Sequence, residues 1–464
     1  MHRFIVLLLL ALVISCSKSG TVQELKPCVS STVIPARIAF EQMGEVIRSL
    51  YPETRAEVFP KYDAAKVIVV GRDDLVIDTK SIDEMEIPDT LLYVINFNDE
   101  SGYAVLAADR RITSPVLCVT EKGTLGLKDF EEVLQPVQRE TKADGKAFVE
   151  LNEGFVPALI LSSVLSDLRQ AREDGERGEE DGGYNGEGGE EGPDTNDNDY
   201  PFMPEIPEMG GEVSIPEPLG PYVMTKWGQS MDPFNRYTPS GYPAGCTCIA
   251  LAQLLVANRS SNTMFFNGVT VDWDDMEGVN NYSNFLTPMN NGSSSGKEQV
   301  ANLVATLGTS DYLNNQYSGE GTSPTPIFLL DWGGRLEFAM QRLGYSTNRE
   351  HALFGFTNSM KMKTYDLLRA GYPAIVQGWA FANGSGHTWL IDGYRFVLGP
   401  NYGHYFHINW GWFGERDGYY SLGIFNTANG VFPDSIYDEA SLLHTGGAIR
   451  NYNVDFAIVD YTFE

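Results

Sequence analysis

The chain has 464 residues, enough for about three units of ordinary domain size, and its aromatic-rich composition reads as globular over most of the length. Against 33 basic residues stand 62 acidic ones, a formal net charge of -29. That balance excludes nucleic acid as a general partner, because phosphate binding needs a basic surface.

At the N-terminus Arg3 precedes an apolar run from Phe4 to Ile14, too short for a comfortable membrane span and the right length for a signal-peptide core. Ser15 and Cys16 follow, then polar residues. This looks like a bacterial lipoprotein signal over 1–16, with Cys16 lipidated and first in the exported protein. The expected location is therefore outside the cytoplasm: a periplasmic or outer-membrane lipoprotein attached through Cys16, or a protein secreted after processing. Export permits disulfides. Yet five cysteines, most of them scattered, do not make a disulfide framework, and the sequence has neither paired CxxC motifs nor HExxH. No metal and no cofactor is expected.

Residues 17–35 read as a polar leader. The stretch Ile38 to Leu50 has the apolar spacing of an amphipathic helix. Short alternating stretches follow: "AKVIVVG", "DLVIDT", "TLLYVINFN", "GYAVLAAD" and "SPVLCVTEKG". These read as half-buried strands, with "NFNDESGY" closing a hairpin. Helical patterns run from about Leu127 to Arg172. Residues 36–169 are thus expected to form one α+β domain. From 170 to 214 the chain is acidic and Gly-rich, with too little apolar surface to offset its ordering entropy, and reads as a protease-accessible linker. Residues 215–464 are globular again. Helical patterns at 245–257, 297–307, 334–343 and 360–370 precede a β-rich half: "YPAIVQGW", "HTWLIDGYRF", "YFHINWGW", "DGYYSL" and "NVDFAIVDYTF". A helical half followed by an antiparallel half predicts α+β architecture with a cleft between the two.

The stretch "GYPAGCTCIALAQLL" concentrates the chemistry. Gly245 suits a sharp turn, and "CTCIALAQLLVAN", free of Gly and Pro, suits a helix. Cysteines in the first turn of a helix gain thiolate character, and the thiolate is the nucleophile. Residues two apart on a helix are rotated by about 200°, so Cys246 and Cys248 face opposite sides and only one can point into a cleft. A cysteine nucleophile needs a base, and the base an orienting group. Among the histidines of this half, His387 follows a Gly-rich loop and opens an alternating strand, leaving room for a substrate backbone beside Ser385 and Gly386. His407 reads as a strand residue with a structural partner. Asn409 can accept an imidazole N–H, while Trp410 and Trp412 can shield that bond from water and line the substrate. The backbone N–H of Cys246 and the side chain of Gln229 can supply oxyanion donors.

The stretches "KWGQSMDPFN", "GCTCIALAQLL", "VDWDDM", "GSGHTWLIDGY" and "HINWGWFGERDGYYSL" resemble, in order and spacing, the streptopain-type (C10, papain-like) cysteine peptidases. The N-terminal "LLYVINFNDESGYAVLAADRRITSPVLCVTEKGTL" resembles that family's propeptide. The resemblance implies a papain-like two-subdomain catalytic domain preceded by a separate α+β propeptide domain. It implies Cys246 as nucleophile with Gln253 seven residues on, His387 as base, Asn409 as the third member before Trp410-Gly411-Trp412, and Gln229 in the oxyanion hole. Cys248 departs from the family, which has a small non-thiol residue there. The layout is that of a zymogen: a domain that blocks the cleft, a cleavable connector and a peptidase acting on proteins or peptides, with its own propeptide as intramolecular inhibitor. Two other readings stand beside it. One is an idle papain-fold binding or inhibitor protein, which would have lost a catalytic group. The other is a Cys-His amidase or transamidase acting on cell-wall peptides, with Asp392 orienting a histidine, although Asp392 points away from His387 along the strand.

Overall fold

A computed structural model describes residues 32–52, 60–74, 87–133, 155–180, 216–260, 265–266, 268–281, 290–319, 321–324, 333–352, 355–380, 385–398, 403–425 and 454–463. Cys16, residues 134–154 of the expected helical stretch, the strand expected at "DLVIDT" and residues 181–214 of the expected linker lie outside the described residues.

Ten strands form one sheet. They are β1 (Ile68–Val70), β2 (Leu92–Asn96), β3 (Tyr103–Ala107), β4 (Val116–Thr120), β5 (Tyr345–Ala352), β6 (Ala374–Ala380), β7 (Ser385–Val397), β8 (Gly403–Asn409), β9 (Gly418–Ser421) and β10 (Val454–Phe463). Their spatial order is β1-β2-β3-β4-β9-β8-β7-β6-β10-β5, and every neighbouring pair is antiparallel. Eight helices pack around it among the described residues: α1 (Ala36–Leu50), α2 (Leu127–Val133), α3 (Phe155–Glu180), α4 (Cys246–Asn258), α5 (Trp273–Glu277), α6 (Ser294–Leu307), α7 (Gly334–Arg342) and α8 (Asn358–Arg369). Mixed helix and antiparallel sheet agree with the expected class, and the expected strands and helices that are described fall within a few residues of their places.

Residues 36–169 were expected to form a separate α+β domain. Instead β4 pairs with β9, matching Thr120 to Gly418, Val119 to Tyr419 and Cys118 to Tyr420. Gly418 makes this possible. Its φ is +152, and a Cβ there would lie 2.3 Å from the Val119 carbonyl oxygen. Only glycine lets the two backbones approach so closely. Val33–Glu464 thus pack as one unit.

Helix α1 buries Ala39, Met43, Val46, Ile47 and Leu50, one stripe at helical spacing, and lies against β3, β4 and β7. Helix α3 contacts β6 and β7, so a helix from the N-terminal region covers strands of the C-terminal one. It continues to Glu180, past the linker start expected at 170, with Arg169–Glu173 and Gln170–Asp174 contacts four residues apart supporting the extra turns. Helix α4 is buried on all sides from Thr247 to Val256, which explains its run of Ala, Leu and Ile without a polar face.

Candidate active site

The turn that precedes Cys246 is built from three segments. Gly245 caps α4 with φ 93 and ψ 140, and a Cβ on it would sit 2.9 Å from the Thr322 carbonyl oxygen. The Ala244 N–H donates to the Gln229 carbonyl at 2.8 Å, and Asn315 Nδ2 donates to the Ala244 carbonyl at 3.0 Å. The turn that presents Cys246 is therefore held to the segment carrying Gln229.

Helical phase separates the two cysteines as expected. Cys248 is buried, and its thiol donates to the Val304 carbonyl of α6 at 3.3 Å. Cys246 is partly exposed. Its helix start is docked on the histidine strand: Thr247 and Thr388, each next in sequence to a candidate catalytic residue, share a hydroxyl hydrogen bond of 2.8 Å. Gln377 Nε2 donates to the Thr388 hydroxyl at 3.0 Å. The expected lowering of the Cys246 pKa is not found in this arrangement. Burial pushes the thiol up, and hydrogen bonds with Thr388 and Thr247 only partly oppose it.

His387 is 2% exposed, on β7 opposite Gly378 of β6. Its Nε2 lies 2.7 Å from the Trp410 carbonyl. A carbonyl only accepts, so Nε2 carries the hydrogen and Nδ1 keeps the lone pair. Nδ1 has no hydrogen-bond partner among the described residues. Burial brings the imidazole pKa down to about 4, against the opposing pull of the Trp410 bond. Four rings enclose it: Trp412 at 4.4 Å between centroids, Trp410 at 5.9 Å, Phe155 at 6.1 Å and Trp389 at 6.3 Å. Phe155 is the first residue of α3 and belongs to the N-terminal region.

Asn409 does not meet His387. Its Oδ1 accepts from Gln253 Nε2 and from the Gly411 N–H, both at 3.1 Å, and its Nδ2 donates to the Thr225 carbonyl at 2.8 Å. With both lone pairs of Oδ1 engaged, the orienting contact to the imidazole falls to the next residue's backbone oxygen. Trp410 itself is fully buried, with its indole N–H on the Tyr420 hydroxyl at 3.1 Å and its backbone N–H on Asp417 at 2.8 Å. It is a core residue, not the substrate-lining one expected. Trp412 is half-buried and covers the imidazole. A Cβ on Gly386 would lie 2.5 Å from the Trp379 ring, so this glycine makes space for Trp379. Ser385 is placed as the first residue of β7, paired with Ala380. Gln229 is 5% exposed, and its Oε1 is buried without a partner among the described residues.

His407 has the structural partners expected of it. Nδ1 meets Asp392 at 2.6 Å and Nε2 meets Glu121 at 3.2 Å. Glu121 follows β4 directly, so this contact too joins the N-terminal region to the C-terminal one. Burial alone would lower the His407 pKa, but the Asp392 and Glu121 carboxylates outweigh it and raise it to about 9. Burial alone would raise Glu121, but His407 and Lys226 bring it to about 2. Lys226 pairs with Asp417 at 2.9 Å, both buried. Asp392 is engaged with His407 and with the Val223 N–H, away from His387. Among the described residues no group of His, Cys, Asp and Glu is arranged to hold a metal, and no helix is long and apolar enough to cross a membrane.

Three participants escaped the sequence reading: Phe155, Glu121 and the hydrogen bonds of Gln253. The last had a signal, since Gln253 lies two helical turns from Cys246 on the same face.

No curated protein matches the chain. Among solved structures, a mutant prointerpain A fragment from Prevotella intermedia aligns over 81% of this chain and 96% of its own, with 18% identity and a TM-score of 0.44. Active interpain A cysteine protease from the same organism aligns over 54% of this chain and 100% of its own, with 22% identity and a TM-score of 0.36. The model of the peptidase C10 family matches residues 227–420, a stretch that contains Gln229, Cys246, His387 and Asn409. Residues 227–420 thus match the peptidase C10 family, which marks this part of the chain as a cysteine peptidase domain.

Proposed function

We propose that the chain is an exported cysteine endopeptidase, made as a zymogen and activated by cleavage between α3 and residue 216. The observation that carries the reading is the hydrogen bond from His387 Nε2 to the Trp410 carbonyl, which leaves Nδ1 as a base on the strand docked against the start of α4. In the reaction Nδ1 takes the proton of the Cys246 thiol. The thiolate attacks the peptide carbonyl carbon, and its oxygen gathers negative charge beside the Cys246 N–H and the Gln229 amide. The imidazolium then gives its proton to the leaving amine as the C–N bond breaks. Water, deprotonated by the same nitrogen, cleaves the thioester, releasing the acid and restoring the thiol.

The zymogen reading is supported by the state of the pair. A neutral imidazole and a raised thiol are the un-ionised partners of what must become a thiolate and an imidazolium. Phe155 encloses the imidazole in this state, and β4 extends the sheet through β9. Residues 33–180 would act as the propeptide, and their removal would open the imidazole to solvent. Export and attachment through Cys16 rest on the N-terminal sequence. Labelling of the expressed chain with a radioactive fatty acid, lost on C16S, tests the attachment.

The peptidase reading is tested with casein under a thiol reductant. Processing followed by casein cleavage that an alkylator blocks supports it, while intact casein from a fully processed, reduced protein overturns it. The amidase alternative drew on Asp392, which is engaged with His407.

A further inference from the structure

We infer that Gln253 is the positioning residue of this site, locking together the three segments that carry Gln229, Cys246 and the Trp410 carbonyl. The inference deepens the peptidase reading and rests on it. Seven residues make two helical turns less about 20°, so Gln253 lies beneath Cys246 on the same face of α4. It is 0% exposed. Its Oε1 accepts from the Thr225 hydroxyl at 3.0 Å and from the Trp227 N–H at 3.1 Å, and its Nε2 donates to Asn409 Oδ1 at 3.1 Å. The loop is closed by Asn409 Nδ2, which donates to the Thr225 carbonyl at 2.8 Å.

Two of these bonds, to Trp227 and to Asn409, reach a candidate catalytic element within two residues. Trp227 precedes Gln229 by two positions. Asn409 and Gly411, joined by the 3.1 Å bond from the Gly411 N–H to Asn409 Oδ1, flank Trp410 on both sides. The carbonyl between them holds His387 at 2.7 Å. Packing alone does not call for an amide here, because methionine or leucine would fill the space. A carboxamide is the side chain that offers an acceptor with two lone pairs and a donor in one plane. Buried without it, the Trp227 N–H and Asn409 Oδ1 would lose partners, and the Trp410 carbonyl would lose its fixed place over the imidazole.

The test uses the processed enzyme carrying Q253L or Q253E. For Q253L we expect kcat to fall about 10- to 100-fold, the scale of a misplacement near the reacting atoms, with KM nearly unchanged. Q253E distinguishes positioning from general fold support. A protonated carboxyl at this position supplies O–H to Asn409 and C=O to Trp227, whereas an ionised one has no donor. Its kcat relative to wild type should therefore recover as pH falls and decline as the carboxyl ionises. A folded Q253L enzyme with wild-type Tm and kcat overturns the inference. If Q253L does not fold, a pH-independent loss in Q253E overturns it instead. The rate of Cys246 alkylation by iodoacetamide, measured in both enzymes, does not need peptide cleavage. If wild type is alkylated at Cys246 but cleaves no peptide, the peptidase reading fails, and the wild-type to Q253L ratio of alkylation rates still decides this inference: a ratio of one contradicts it.

Discussion

Glu121 and His407 meet at 3.2 Å in a part-buried contact that joins the strand next to the N-terminal hairpin to the strand leading into the Asn409–Trp412 turn. With the pKa of His407 raised to about 9, its contribution to stability is full below the ordinary histidine value of 6.5 and is lost as pH rises through 9. With Glu121 lowered to about 2, its contribution is present above the ordinary value of 4.5 and is lost as pH falls through 2. The two together place greatest stability between those ordinary values. In full-length C246A protein, thermal melts should fall on both sides of that window. E121Q should flatten the alkaline limb and cost about 1–3 kcal/mol, the scale of a lost charged hydrogen bond. Unchanged pH slopes in E121Q would show that the pair carries no linkage.

Phe155 encloses the imidazole from the N-terminal side, and a Cβ on Gly378 would come within 2.8 Å of its ring. Truncation by F155A should destabilise the full chain by about 3–5 kcal/mol, as for other buried aromatic rings. It should also admit water to His387. The expected outcome is faster alkylation of Cys246 in the uncleaved chain, checked by mass spectrometry of the modified peptide. An alkylation rate equal to wild type would separate Phe155 from the masking of the site.

In the uncleaved chain the Cys246 thiol lies above its ordinary pKa of 9.0, raised by burial, and His387 is near 4. Alkylation at neutral pH should therefore be slow and should climb only in alkaline solution, because the thiolate is the reacting form. After cleavage the rate should rise at neutral and mildly acid pH as the imidazolium forms beside the thiolate. Identical pH profiles before and after cleavage would contradict the proposed activation.

The turn and helix start that present Cys246 were legible because their signals are local: Gly245 for the turn, a Gly- and Pro-free helix after it, and two cysteines out of phase. The strand that carries His387 was legible for the same reason, an alternating pattern opening after a Gly-rich stretch. The pairing of β4 with β9 was not, because strand periodicity reports which face is buried and says nothing about which strand lies alongside. Phe155 is one apolar residue at the start of a helix, and nothing nearby in sequence points to a histidine more than two hundred residues on. Asn409 was misread because a side-chain amide beside two tryptophans suits an orienting role. Its partner Gln253 was visible on the helix face, but whether the two amides meet is settled only by packing. The linker was placed too early because its first acidic residues still alternate at helical spacing with Arg169 and Gln170.

The central claim is that Cys246, and not Cys248, is the nucleophile acting with His387. Substituting Cys248 removes a small buried side chain and its contact with Val304, a loss of about 1 kcal/mol on the face of the helix away from Cys246. The most direct measurement is peptide mapping of the processed enzyme after limited alkylation, alongside casein hydrolysis by C246A, C248A and H387A. The account predicts label on Cys246 in proportion to lost activity, a working C248A enzyme, and no hydrolysis by C246A or H387A. Label on Cys248 that tracks inactivation, or casein hydrolysis by C246A, would contradict it.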